Sequence, residues 1–352
     1  MLHIFGRLDT LVGMTMTQVA ELAGVSQSTV SRVVRGGAGI SPQTVAAVRR
    51  AMRSIGYHPP RRRAARVKAN MSMSAAANIV LLILDDSIDE HPSMAIAKLA
   101  GVQQAAADAK LNLITSRVGS DGTLPPVLES GQFAGALLWG RSLPGHVARA
   151  LLGVPSVWLT SHGDGDGDRV LEGNAEVGSI AFRYLREHGA QHLAFVCPTR
   201  RFTRTLLSGS VFATLAEGAG VPVHMLVESD EDEADDRPGD YRQAIKRLID
   251  RMLEISPRPD GVFVPDDRFA PMVYQQLREC GVEPGRDVRV ISCNNERSYL
   301  EALSPRPATI DLAPDLTGRL AVDHLMVQVR GGSHERSVGV VVQPKLVEGD
   351  SI

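Results

Sequence analysis

Three cysteines in 352 residues, Cys197, Cys280 and Cys293, are too few, too widely spaced and odd in number for a disulfide framework or a zinc knuckle. Each reads as a small buried hydrophobe, and the compartment as a reducing one. No apolar run reaches the roughly 18 residues that a membrane-spanning helix requires, so no membrane contact is expected. The first 13 residues, MLHIFGRLDTLVG, lack a basic stretch followed by a clean apolar one, because Arg7 and Asp9 interrupt it. They are expected to be a disordered leader (1–13) without a secretory signal, on a cytoplasmic protein. Also missing are G-x-G-x-x-G, a P-loop, G-x-S-x-G and any His/carboxylate grouping with metal spacing. No enzyme, metal or cofactor is therefore expected, and His91, His146 and His162 read as loop residues.

Two acidic stretches read as solvated loops. In SHGDGDGDR (161–169) the alternating Asp164, Asp166 and Asp168 are like the opening of a calcium loop. Arg169, however, stands where glycine is needed, and Ala175 where the closing Glu belongs. The run Glu228–Asp240 is the second such loop.

What is present is a globular composition, 43% hydrophobic and 22% charged, on a chain too long for one ordinary domain. The net charge of −2 conceals an asymmetry: residues 1–70 hold 11 Lys/Arg against 2 Asp/Glu, and the remainder holds 27 against 38. A basic head on an acidic body suits a protein that sets one end on phosphates.

The head also has helical patterning. Val19, Leu22 and Ala23 give the apolar spacing of a first helix, which Gly24 breaks. Ser26 caps a second helix carrying Val30, Val33 and Val34 inward. Gly36, Gly37 and Gly39 form a loop, and Ser41-Pro42 opens a third helix with Val45, Val48, Ala51, Met52 and Ile55 apolar, ending at Gly56. This is a helix-turn-helix with Ala23-Gly24-Val25 as the turn and Val25 plugging the core. The outer face of the second helix carries Gln27, Ser28, Thr29, Ser31, Arg32 and Arg35, side chains suited to base edges and phosphates.

AGVSQSTVSRVV, followed by ISPQTVAAVRRAMRSIGYHPP, resembles the headpiece of the LacI/GalR family of transcriptional regulators from about Thr15 to Pro59 without a gap. The resemblance implies a DNA-binding domain at 14–59, with Gln27, Ser28 and Arg32 reading bases. It implies phosphate contacts at Ser26, Thr29 and Ser31, and places Tyr57 in the Gly-Tyr-x-Pro signal on the DNA side. Arg35 replaces the family's usual Asn.

The linker 60–77 departs from that family, in which a hinge helix pushes a Leu into the minor groove. Here Arg61, Arg62 and Arg63 follow Pro60. Ungapped counting puts Arg66 at the Leu position, and one inserted residue would put Val67 there. An arginine enters a narrow minor groove electrostatically without wedging base steps apart, so contact without the same kink is expected.

From residue 78 short apolar strands alternate with helices. The strands are read at Ile79–Leu84, Leu111–Thr115, Gly135–Trp139, Ser156–Thr160, His192–Cys197, Val221–Val227, Gly261–Pro265 and Val288–Cys293. Helices are read at Ala97–Ala109, Glu176–His188, Tyr241–Glu254 and Ala270–Cys280. The pattern predicts an α/β body (78–352) of two doubly wound parallel-sheet subdomains. It resembles the family's periplasmic-binding-protein-like effector and dimerisation domain, whose ligand lies between subdomains at the strand C-termini.

Three of that family's sugar-clamping residues are altered: its Asp is Gly173, its Arg is Ser208, and a late Asp is Asn294. The candidate effector residues are Trp139, Thr160, Arg200, Arg201, Arg204, Phe263, Asp267 and Asn294. With a carboxylate and a guanidinium lost together, a neutral sugar is not the expected ligand. Arg200, Arg201 and Arg204 point to an anionic metabolite such as a phosphorylated sugar. The resemblance further implies a homodimer on a palindromic operator, acting as a repressor. A cleft that senses no small molecule, or that takes a protein partner, stays open as the alternative.

Overall fold

A computed structural model describes residues 16–34, 40–54, 78–85, 88, 91–119, 122–160, 167–199, 203–228, 241–331 and 336–350. The expected leader and the basic linker lie outside the described residues, as do Arg35, Tyr57, Arg61, Arg62, Arg63, Arg66, Arg200 and Arg201. Residues up to Asn70 and the bulk of the chain from Met71 onward fall into separate compact units.

In the head, α1 (Met16–Ala23), α2 (Gln27–Val34) and α3 (Pro42–Ser54) follow one another. Val19, Ala20, Val30, Val48 and Ala51 are buried together, with Met16, Ala23, Val25, Val33 and Met52 packed around them. Leu22, expected on the inner face of α1, is 58% exposed. The apolar stripe instead runs through positions 16, 19, 20 and 23, and Leu22 lies off it at 100° per residue. Gly24 takes the left-handed φ of +64° that the turn requires. Ser26 and Ser41 act as the expected caps, accepting the backbone N–H of Thr29 at 3.2 Å and of Thr44 at 3.1 Å.

The body has two lobes. In the first, the sheet order is β2–β1–β3–β4–β5–β11, parallel throughout, from β1 (Asn78–Ile83), β2 (Asn112–Arg117), β3 (Gly135–Trp139), β4 (Ser156–Trp158), β5 (Asp168–Glu172) and β11 (Gly339–Val342). Helices α4 (Pro92–Asp108), α5 (Pro126–Ser130) and α6 (Gly145–Ala150) connect its first strands. In the second lobe β7 (Val223–Val227), β6 (Leu193–Cys197), β8 (Gly261–Phe263) and β9 (Arg289–Ile291) form a parallel sheet in that order. The antiparallel pair β10 (Thr309–Asp311) and β12 (Lys345–Val347) continues it through the Ile291–Ala308 bridge. The connecting helices are α8 (Thr203–Gly218), α9 (Tyr241–Leu253), α10 (Ala270–Glu279) and α11 (Arg297–Leu300).

The chain passes between lobes after β5, after β10 and after β11. Helix α7 (Asn174–Glu187) leads into the second lobe, and α12 (Pro314–Val329) returns to pack on α4. The α4–α12 contact is close because both helices carry glycine there. A Cβ on Gly101 would meet Asp315 O at 1.9 Å, and one on Gly318 would meet Lys98 O at 2.1 Å. Gly178 plays the same part between α7 and α8, where a Cβ would meet Ser208 O at 2.1 Å.

All eight expected strands are present. The additional strands β5, β10, β11 and β12 are short, and β5 corrects the reading of 161–169 as all loop. Asp168 and Arg169 begin that strand, and Asp168 is buried, accepting from His324 at 2.8 Å, Gln328 at 2.6 Å and the Val338 N–H at 3.0 Å. Residues 161–166 of that stretch, including His162, lie outside the described residues, as do 229–240 of the second acidic run. Glu228 is not solvated: it is 7% exposed and takes the Arg247 guanidinium of α9 at 2.9 Å. His146 lies in α6 rather than a loop. Cys197 and Cys293 are buried as expected, whereas Cys280 is exposed.

Candidate DNA interface and effector cleft

The second helix of the head turns Val30 and Val33 toward the core, so residues 27, 28, 31 and 32 fall on the opposite side. Gln27, Ser28 and Arg32 are exposed, while Thr29 and Ser31 are half-buried. The Ser26 hydroxyl is occupied as the cap and lies 2.8 Å from Ser28 Oγ and 2.9 Å from Thr29 Oγ1. The hydroxyls at the start of α2 thus form one local cluster, from which Gln27 and Arg32 stand out as the long polar side chains. An amide and a guanidinium on one exposed helix face match the adenine and guanine edges of a major groove. No side-chain arrangement is described for the remaining expected DNA contacts, all of them C-terminal to Val34.

In the body, the expected cleft lies where the strand C-termini of the two lobes face each other, near the His91–Asp266 contact. The structure moves three expected effector residues into lobe interiors. Trp139 is 4% exposed, and the Lys98 ammonium lies over its ring at 4.9 Å. Lys98 is itself buried, donating to Leu159 O at 3.1 Å and pairing with Glu172 at 2.6 Å. One face of Trp139 is therefore spent on an internal cation. Phe263 is fully buried between Phe195 and Phe212, with ring centroids 5.4 Å from each, because β8 is central in its sheet. Trp158, the last residue of β4, is also buried.

Asp267 is fully buried as well. It accepts from Ser292 Oγ, from Thr309 Oγ1 at 2.9 Å and from the Glu296 N–H at 2.7 Å, tying β8 to β9 and β10. Burial pushes its carboxyl up to about 7, against the pull of those donors. Thr160 stitches the ends of β3 and β4, its Oγ1 donating to Gly140 O at 2.7 Å and accepting from Gly140 N at 3.1 Å. Asn294 is 6% exposed with a φ of +112°, and its Nδ2 has no hydrogen-bond partner among the described residues. Arg204 sits in the first turn of α8, its side chain outside the described set.

The altered clamp positions have been refilled. A Cβ at Gly173 would meet Glu176 Oε2 and Pro344 Cδ at 2.8 Å. Ser208 is 3% exposed and bonds Thr205 O at 2.8 Å within its own helix.

Sequence reasoning missed the polar group that meets across the cleft. His91 precedes α4 in the first lobe, and Asp266 and Arg268 follow β8 in the second. His91 Nδ1 is 3.0 Å from Asp266 Oδ2, and the Arg268 Nε is 3.2 Å from the same oxygen. His91 was passed over because Asp266 and Arg268 lie in the other lobe and far away in the sequence.

The profile described as "Bacterial regulatory proteins, lacI family" matches residues 15–60, and that of a periplasmic-binding-protein-like domain matches residues 182–352. The chain joins a lacI-family DNA-binding domain to a periplasmic-binding-protein-like domain. The ribose operon repressor of Haemophilus influenzae is 25% identical to it over 96% of this chain and 98% of that protein. Among solved structures, the transcriptional regulator CelR in complex with cellobiose superposes with a TM-score of 0.63 at 22% identity, covering 96% of this chain and all of that one. The lac repressor dimer bound to operator and an anti-inducer gives 0.63 at 20% identity, over 96% and 98% of the two chains. At those identities the structural likeness is one of fold: a LacI-type head on a body of two parallel-sheet lobes. Among the described residues no helix is long and apolar enough to cross a membrane.

Proposed function

We propose that this chain is a cytoplasmic transcriptional repressor that binds a palindromic operator as a homodimer and is modulated by a small molecule held between its lobes. The observation that carries the reading is the capped helix α2, whose inner face is locked into the head's core while Gln27, Ser28 and Arg32 remain exposed on the other face. One head buries too little surface for tight specific binding, and two heads on inverted half-sites resolve that. The repressors among its relatives and the acidic, solubilising body agree with this role rather than with an enzyme's.

We place the effector class among anionic metabolites such as phosphorylated sugars. Gly173, Ser208 and Asn294 replace the polar groups that grip neutral hydroxyls in the family this chain resembles, and Arg200, Arg201 and Arg204 follow β6 in the sequence. A second reading is favoured by the polar groups already paired in the cleft: a regulator that needs no small molecule.

Selection of bound sequences from random duplex DNA, repeated with and without a metabolite extract, tests both parts. Enrichment of an inverted repeat is expected, and failure to enrich any sequence contradicts the regulator reading. Thermal-shift screening then separates ligands: phosphorylated sugars are expected to stabilise the body, and stabilisation by neutral hexoses alone removes the anionic assignment.

A further inference from the structure

We propose that His91, Asp266 and Arg268, with Met94, form a latch that holds the two lobes of the body closed without a ligand. The inference deepens the reading of the cleft as the regulated site, and it rests on that reading only for its biological meaning.

The latch joins residues far apart in sequence at the place where the strand ends face each other. Asp266 Oδ2 takes His91 Nδ1 at 3.0 Å from the first lobe and Arg268 Nε at 3.2 Å from its own. The other carboxylate oxygen accepts the backbone N–H of Arg268 at 3.0 Å, so the acid is oriented by its own turn. Arg268 is held in place by the faces of Phe269 at 4.8 Å and Tyr241 at 5.7 Å. Its Nη2 lies 3.5 Å from His91 Nε2. One tautomer of a neutral imidazole serves both contacts: Nδ1–H donates to Asp266, and the Nε2 lone pair faces the guanidinium.

Burial makes the arrangement more than a surface ion pair. The side chains of His91 and Asp266 are 8% and 3% exposed, so their mutual contact is shielded from the solvent screening that weakens exposed pairs. Parting the lobes would leave Asp266 to be solvated anew and would strip one partner from it. An apolar contact reinforces the polar one. Met94, three residues after His91 on the first turn of α4, is 5% exposed and belongs to the buried cluster of the second lobe with Phe195, Cys293 and Leu312. The start of α4 therefore docks on the second lobe through a hydrogen-bonded head and an apolar plug, one helical turn apart. An entering effector must displace this contact or fit around it.

The test is a distance between lobes in the ligand-free full chain. Spin labels at Glu129→Cys and Arg251→Cys, in a Cys280→Ser background diluted with unlabelled chain, read that distance by pulsed dipolar spectroscopy. A single narrow distribution is expected for the parent. His91→Ala and Asp266→Asn should each add a longer-distance population with circular dichroism unchanged, and the double variant should add no more than either alone. His91→Asn, whose amide nitrogen falls near the position of Nδ1 and keeps a donor to Asp266, should restore much of the narrow distribution. An unchanged distribution in folded His91→Ala and Asp266→Asn, or a parent that is already open, overturns the latch. DNA plays no part in this readout, so the latch and the regulator reading fail separately.

Discussion

Helix α2 and the floor of the cleft both carry polar side chains on a firm apolar support, but they use them in opposite ways. On α2 the support is Val30 and Val33, and Gln27 and Arg32 are left exposed. In the body Lys98 is paired with Glu172 inside the first lobe, Asp267 is surrounded by donors inside the second, and where the lobes meet Asp266 is shared by His91 and Arg268. A surface that must meet another molecule keeps its donors and acceptors available. A surface that must hold two lobes together satisfies them internally, because an unpaired buried charge is costly. The comparison teaches that the head is organised for an external partner and the ligand-free body for itself.

The sharpest way to break the comparison is to injure one region and follow the other. Gly101→Ala drives a Cβ to within 1.9 Å of Asp315 O at the α4–α12 crossing, and should cost the body about 3 kcal/mol or more. Gly145→Ala, whose Cβ meets nothing within 4 Å, is the matched control and should change little. Calorimetry should show the body's transition falling in the first variant while the head's transition stays. The converse is Val30→Ala. It opens a hole in the small head core and should cost the head about 2 kcal/mol, read as loss of operator binding at moderate temperature with the body's melting unchanged.

A smaller effect comes from Asp267. Burial raises its folded-state carboxyl to about 7, above its ordinary value near 3.8. The folded state therefore keeps a proton that the unfolded chain gives up. The resulting stabilisation is complete below about pH 4 and is lost as the pH rises through about 7. Asp267→Asn cannot titrate, so its stability relative to the parent should improve from pH 5 to pH 8 in denaturant melts. A parallel pair of curves would show the carboxyl ionised throughout.

How much of this was readable in the sequence follows the range of the interactions. The head was legible because its signals are local: Ser26 and Ser41 cap within three residues, and Gly24 turns the chain on the spot. Leu22 was misplaced because the set Val19, Leu22 and Ala23 shares two members with the stripe that faces inward, and so short a run does not show that the third lies off it. In the body the apolar runs that became β1, β3, β6 and β8 announced themselves, while β5 hid in an acidic stretch and β10 and β12 are three residues each. The cleft was the least legible part. Phe263 and Trp139 were expected to face a ligand, but their side of the sheet is settled by packing against Phe195, Phe212 and Lys98. His91 and Asp266 lie 175 positions apart, and no local pattern joins them.

The central claim is that the exposed face of α2 recognises base edges, and one measurement addresses it directly. Fluorescence anisotropy compares the parent with Gln27→Ala/Arg32→Ala on a selected operator and on a scrambled duplex of the same length. With each base contact worth about 1–3 kcal/mol, the operator affinity of the variant should fall by about 100-fold or more, while the scrambled duplex is bound nearly as before. Equal affinity of the parent for both duplexes, unaltered by the two substitutions, would contradict the account.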